Sequence, residues 1–280
     1  MKEFRDRVAV VTGAASGMGR AFAERFAAEG MKVVLADVEE AALAEAQSAI
    51  RERGATTLAV RTDVAQPADI KQLADAAYDA FGAVHVLCNN AGVGTGGFVW
   101  ECTEADWEWV LSVNLWGVIN GCRTFIPRML AGGDEGHIVN TASVAGLLAG
   151  PFMGPYNVSK FGVVALSETL HQELMLAQAK VRVSVLCPGL VNTNIADSAR
   201  NRPAHLSDTR PPPTGIDGPG TLRDLLKTEG LDPAVVAGQV LDAIQQERFY
   251  VLTDDKFDDR IRQRMENILA RRNPDLRMVL

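Results

Sequence analysis

Residues 7–19, Arg7-Val8-Ala9-Val10-Val11-Thr12-Gly13-Ala14-Ala15-Ser16-Gly17-Met18-Gly19, run from a short β-branched stretch straight into glycine-rich sequence. The first half has the composition of a strand buried on both faces, and a helical pattern over 19–29 follows the second. Glycines at such a junction permit a tight turn and close approach of the backbone to a pyrophosphate. The helix N-terminus adds unpaired amides and the positive end of its dipole. Gly13, Ser16, Gly17, Met18 and Gly19 are therefore candidate cofactor-binding residues. Their spacing, G-x-x-x-G-x-G, departs from the G-x-G-x-x-G dinucleotide fingerprint, so position after a buried strand carries the argument. A glycine turn with no ligand is the alternative.

Outward from this junction, strand and helix alternate. An apolar run over 33–36 ends at Asp37, where a carboxylate accepts hydrogen bonds from both hydroxyls of an adenosine ribose. The same charge repels a ribose 2′-phosphate, and no lysine or arginine stands at 14–18 or 38, so NAD is expected over NADP. A helix over 39–53, a strand over 57–61, a helix over 67–81 opening on proline, and a strand over 84–88 come next. Between them, Asp63 and Val64 either flank the adenine or, for Asp63, cap a turn. One long helix is expected over 104–129, broken near Gly117 or Gly121, then a strand over 137–140, a helix after Pro155 and a strand over 181–186. The pattern predicts an α/β fold: a doubly wound parallel sheet with helices on both faces. Over 194–230, Pro203, Pro211-Pro212-Pro213 and Gly215, Gly218, Gly220 and Gly230 predict a long functional loop. A helix over 233–246, a strand over 249–252 and an amphipathic helix over 255–272 complete a single domain spanning 1–280.

A net charge of −7 over 280 residues argues against nucleic-acid or anionic-membrane binding through a basic surface, and points to a small-molecule partner. The charged N-terminus does not read as a secretory signal. The longest uncharged span, 138–159, holds Asn140, Pro151, Pro155 and several glycines, which rules against a transmembrane helix. A cytoplasmic protein is expected. Cys88, Cys102, Cys122 and Cys187 and the four scattered histidines show no metal-ligand spacing, and no metal is expected.

The chemistry is sought at Ser143, Tyr156 and Lys160. In a helix starting near Pro155, Tyr156 and Lys160 are an i,i+4 pair on one face. Tyrosine titrates near pH ~10, and a fixed ammonium favouring phenolate brings it toward acid/base work at neutral pH. Ser143 supplies a second hydroxyl for the same substrate oxygen. Taken alone, the spacing better fits an ordinary exposed pair with Ser143 as a cap.

Together these residues resemble the short-chain dehydrogenase/reductase family. The match runs over 5–193 and comprises T-G-x-x-x-G-x-G at 12–19, Asn89-Asn90-Ala91-Gly92, Asn114, Ser143, Tyr156-x-x-x-Lys160 and Pro188-Gly189. The resemblance implies a Rossmann-like sheet of about seven strands with the dinucleotide at their carboxyl ends, and a homo-oligomer, dimer or tetramer. It also implies roles. Tyr156 is the general acid/base, Lys160 lowers its pKa and bonds the nicotinamide ribose, and Ser143 steadies charge on the substrate oxygen. Asn114 holds a water linking Lys160 to solvent. Asn90, Ala91 and Gly92 line the cofactor, and Pro188, Gly189, Val191 and Thr193 bracket the nicotinamide. Hydride transfer between NAD and a secondary alcohol or ketone follows.

The span between Ser143 and Tyr156 carries no charge, and in the family it borders the substrate, which implies an apolar or aromatic substrate. The loop after Thr193 resembles the family's lid, and its Arg200, Arg202 and Arg210 leave room for an acidic group on the substrate. The stretches 113–121 and 194–196 are similar to those of family members acting on benzylic alcohols of aryl ethers. The rival readings are a catalytically silent NAD-binding protein of this fold and a sugar or acyl-chain ketoreductase.

Overall fold

The computed structural model describes residues 1–207 and 222–274. In chain order the elements begin β1 (Val8–Thr12), α1 (Gly17–Ala28), β2 (Lys32–Asp37), α2 (Glu40–Glu52), β3 (Thr57–Arg61), α3 (Pro67–Phe81) and β4 (Val86–Asn89). They continue with α4 (Glu104–Leu111), a π turn (Ser112–Trp116), α5 (Gly117–Gly132), β5 (Gly136–Thr141), α6 (Gly154–Leu176) and β6 (Val181–Cys187). Two 3-10 segments (Asn194–Asn201 and Ala204–Leu206), α7 (Leu222–Glu229), α8 (Pro233–Gln246), β7 (Tyr250–Leu252) and α9 (Asp258–Leu269) follow.

The strands pair in parallel in the order β3-β2-β1-β4-β5-β6-β7. After β3 the chain crosses back to place β4 beside β1, so the order reverses between those two strands. Neighbouring connections leave the sheet to opposite faces there, and their divergence opens a crevice at the carboxyl ends. Strand periodicity sends alternate side chains of β1 into two cores. Ala9 and Val11 join Phe22 and Phe26 of α1 and Ile244 of α8 on one face. Val8 and Val10 join Leu73 of α3, Phe125 of α5 and Val163 of α6 on the other. This is a single-domain Rossmann-like fold. Among the described residues no helix is long and apolar enough to cross a membrane.

The helix expected over 104–129 departs from expectation in kind. It does not break at its glycines; it runs on through a π turn at Ser112–Trp116. The glycines serve packing instead. A Cβ at Gly117 would lie 2.8 Å from Val64 Cγ2, and one at Gly121 would strike the Asn89 amide, so both let the helix lie close against the sheet. The expected long loop also holds structure, namely the two 3-10 segments and α7. Arg210, the three prolines at 211–213 and Gly215, Gly218 and Gly220 lie outside the described residues.

Candidate active site

A cleft of about 550 Å³ runs along the carboxyl ends of the central strands. At one end the glycine turn holds backbone conformations that need its composition: φ is +67° at Gly13 and +52° at Gly17. A Cβ at Gly17 would also press on Thr193 Cγ2 at 3.1 Å. Gly19 does not face the cleft; a side chain there would collide with the Gly13 carbonyl, so its part is to seat α1 against the turn. Ser16 is the N-cap of α1 in extended conformation, yet its side chain does not cap it. The first amides and the positive end of the α1 dipole thus remain available to an anion in the cleft, where Ser16 and Met18 line the wall.

Asp37 closes this end. Its Oδ2 accepts from the Ala15 amide at 2.9 Å and its Oδ1 from the Glu39 amide at 3.1 Å, which ties the glycine turn to the end of β2. Burial pushes its pKa up, while the amide bonds pull it down. Asp63 and Val64 line the same cleft. Asp63 Oδ1 accepts from the Ala65 amide at 3.0 Å, the turn role that the sequence also allowed.

Behind the cleft the buried Thr12, part of the quoted motif but given no role, joins the two strands that flank the switch point. Its Oγ1 accepts from the amides of Asn90 at 2.9 Å and Ala91 at 3.1 Å. Asn90 Nδ2 donates back to the Thr12 carbonyl at 3.0 Å, and its Oδ1 accepts from Thr141 Oγ1 at 3.3 Å. Side chains here replace ladder bonds that β1 and β4 no longer share beyond their ends.

At the other end Tyr156 and Lys160 project from the first turns of α6, and Ser143 stands at the start of the 3-10 turn Val144–Gly146. Burial pushes the Tyr156 phenol up from its ordinary value, and a hydrogen bond with Ser143 pulls it back. The expected lowering by Lys160 does not dominate, for a geometric reason. The ammonium faces the tyrosine ring, 5.5 Å from its centroid, and donates to the Thr141 carbonyl at 3.0 Å. Burial pushes Lys160 itself down to about 8.

Asn114 sits in the π turn, wholly buried behind Lys160. Its Oδ1 accepts from the Val93 amide at 2.8 Å, and its Nδ2 donates to the Val93 carbonyl at 2.9 Å and to Ser159 Oγ at 3.2 Å. One amide therefore imitates a strand partner for the chain beyond β4. Gly92 completes the junction: a Cβ there would lie 3.5 Å from Asn114 Oδ1 and 3.6 Å from Lys160 Nζ.

Of the expected nicotinamide bracket, Pro188 and Thr193 line the cleft. Gly189 and Val191 stand behind it, Gly189 against Phe257 and Val191 buried beside Leu231. Sequence reasoning missed the anchors of the segment over 194–206. Arg200 and Asn201 donate to Glu39 Oε1 at 2.6 and 2.8 Å, Ser198 Oγ accepts from the Gly94 amide at 2.9 Å, and Arg202 pairs with Asp106 at 2.7 Å. These partners lie far apart in the chain, so no local pattern signals them.

Comparison with known proteins agrees with this arrangement. A family model described as short chain dehydrogenase matches residues 7–204. The crystal structure of a short-chain dehydrogenase/reductase from Burkholderia phymatum in complex with NAD is 48% identical and covers 100% of both chains, with a TM-score of 0.95. A CLA biosynthesis dehydrogenase/reductase from Lactiplantibacillus plantarum is 33% identical over 100% of this chain and 99% of its own. A C alpha-dehydrogenase from Sphingobium is likewise 33% identical, over 90% of this chain and 82% of its own.

Proposed function

The chain belongs to the short-chain dehydrogenase family, oxidoreductases acting with NAD(P) on hydroxyl and carbonyl groups, and from that premise we propose an NAD-dependent dehydrogenase of apolar or aromatic secondary alcohols and their ketones. The observation that carries this reading is one cleft with a glycine turn and Asp37 at one end and Tyr156 and Lys160 at the other, with Ser143 beside the phenol. The glycine turn, the uncapped helix N-terminus and the fixed Asp37 carboxylate suit the pyrophosphate and adenosine ribose of NAD. The NAD complex of the Burkholderia relative supports the same choice.

When bound, the nicotinamide supplies the hydride chemistry. Tyr156 takes or gives the proton at the substrate oxygen, and Ser143, whose hydroxyl lowers the pKa of the neighbouring phenol, donates to that oxygen as charge develops on it. Lys160 sets the electrostatics beside the ring and holds the cofactor ribose. Asn114 supports the exit of the proton behind it. The span 144–155, which leads to Tyr156, carries no charge, which favours a substrate without charge at the reacting end. The stretches 113–121 and 194–196, similar to those of family members acting on benzylic alcohols of aryl ethers, favour a benzylic alcohol within that class. A cytoplasmic dimer or tetramer is part of this reading, and light scattering measures the assembly.

The test is NADH formation from aliphatic, benzylic, steroidal and sugar alcohols, run in parallel with NAD and NADP. Turnover of an apolar class with NAD is expected. Turnover of sugars alone, or NADH binding without any turnover, would favour the sugar ketoreductase or the silent binding protein instead.

A further inference from the structure

The catalytic end of the cleft is backed by chain that lies beyond the family match, which ends at residue 204. The chain leaving β7 passes directly behind Pro188 and Gly189. Thr253 is buried, and its Oγ1 accepts from the Gly189 amide at 3.1 Å and donates to Asp254 Oδ2 at 3.3 Å. Gln239 of α8 donates to the Thr253 carbonyl at 2.9 Å, which fixes that residue from below. Phe257, at the start of α9, lays its ring on the Gly189 backbone: a Cβ at Gly189 would lie 2.7 Å from Phe257 Cε2. The same ring packs with Val144, Leu148 and Ile261.

Pro188 and Ser143 are coupled as well. The Pro188 carbonyl accepts from the Val144 amide at 2.9 Å and from Ser143 Oγ at 3.4 Å. Two turns that carry the reaction, Ser143-Val144 and Pro188-Gly189, thus meet at one carbonyl, and Phe257 presses on both from outside. Thr253 pins the second. Neither residue faces the cleft, so neither touches substrate or cofactor.

We propose that Thr253 and Phe257 are positioning residues: they hold the Pro188-Gly189 turn against the Ser143-Val144 turn, so that the Ser143 hydroxyl is presented to the substrate oxygen. The proposal rests on the hydride-transfer reading above. It assigns a function in the reaction to the chain after β7, the strand that closes the sheet. A displacement of about 1 Å in a reacting geometry is enough to cost up to about a hundredfold in rate. Disturbing these residues should therefore appear in kcat before it appears in cofactor affinity.

The experiment compares Thr253→Val, Thr253→Ser, Phe257→Ala and Phe257→Leu with the full-length wild type. The probe is 1-phenylethanol with NAD, and NADH affinity is read by fluorescence. Thr253→Val keeps the shape but leaves the Gly189 amide without its acceptor. Expected is a fall in kcat of about tenfold or more, with NADH affinity nearly unchanged, and recovery in Thr253→Ser. Phe257→Ala should lower kcat similarly, with Phe257→Leu recovering part of it. If Phe257→Ala does not fold, the Thr253 pair decides. Wild-type kcat in Thr253→Val, or a loss of thermal stability alone, would overturn the proposal. If wild type binds NADH but oxidises no alcohol, the hydride-transfer reading fails separately. A crystal structure of Thr253→Val then decides: a shift of Gly189 relative to Ser143 supports the positioning role, and an unmoved turn refutes it.

Discussion

Lys160 is held in a state that folding alone would not choose. Its ammonium is buried, and burial depresses its pKa from 10.5 to about 8. Below about pH 8 the folded protein bears the whole cost of that burial, because both states are protonated there but only the folded one is desolvated. Between about 8 and 10.5 the unfolded state binds more protons, so stability rises with pH across that window and the cost is gone above it. The shift corresponds to about 3 kcal/mol at most, offset by about 1 kcal/mol for the bond to the Thr141 carbonyl. Lys160→Met should therefore be more stable than wild type near pH ~7, lose that advantage as pH rises, and turn over no substrate. Thermal melts at several pH values check the first two parts, and a destabilised variant at neutral pH would refute the assignment. Asp37 is a second residue with two tasks, since its carboxylate also holds the Ala15 amide. Asp37→Ala should weaken NAD use and narrow the preference over NADP, read as the ratio of kcat/KM for the two cofactors. An unchanged ratio would place the ribose elsewhere. Tyr156→Phe should abolish turnover and leave NADH binding nearly intact, and retained turnover would remove Tyr156 from its role.

The segment over 194–206 is held by charge and single hydrogen bonds more than by buried apolar area. Arg200 and Asn201 meet Glu39, two residues from Asp37, and Arg202 meets Asp106 in the capping box of α4. The segment lines the cleft through Asn194, Ile195, Ser198 and Arg200, and its two anchors lie on different elements. Exposed ion pairs contribute about 0–1 kcal/mol, so Glu39→Gln or Arg200→Ala should speed NADH dissociation by only about two- to fivefold, and less at high salt. Stopped-flow displacement of NADH measures this, and the double variant should be no faster than either single one. Fully additive effects would mean that the two side chains act apart. Such a clasp is invisible in sequence because its partners are separated by 161 positions. The π turn is hidden for a different reason: it is a single turn within a continuous helix, and no local residue type marks it. By contrast α3, bounded by Pro67 at its first turn and Gly82 in left-handed conformation after Phe81, was legible to the residue. Gly13, Asp37, Tyr156 and Lys160 were legible as lining one cleft because each sits near a strand end or helix start. Thr253 and Phe257 were not, since their partners are backbone atoms brought near only by the closing of the sheet.

Across the whole molecule, stability and function occupy different layers. Each residue of β1, β4 and β5 is buried, and these strands sit between helices packed on both faces. The flanking β3 and β7 are partly exposed, and the clasped segment lines the cleft. Backbone amides should exchange with solvent in that order: slowest in the central strands, which open only with global unfolding, and fastest in 194–206, which opens by losing a few polar contacts. NADH adds binding energy only to states in which the cleft is formed, so it should slow exchange in the glycine turn and in 194–206 far more than in α9, which lies behind the catalytic end. Hydrogen–deuterium exchange with and without NADH measures all three regions at once. Protection of 13–19 alone would mean that the segment over 194–206 does not lie over the bound dinucleotide and that the clasp serves only the fold. Protection of both, with α9 unchanged, would separate the layer that binds the cofactor from the layer that positions Ser143. In that case the Thr253 and Phe257 variants should alter turnover without altering the protection that NADH confers.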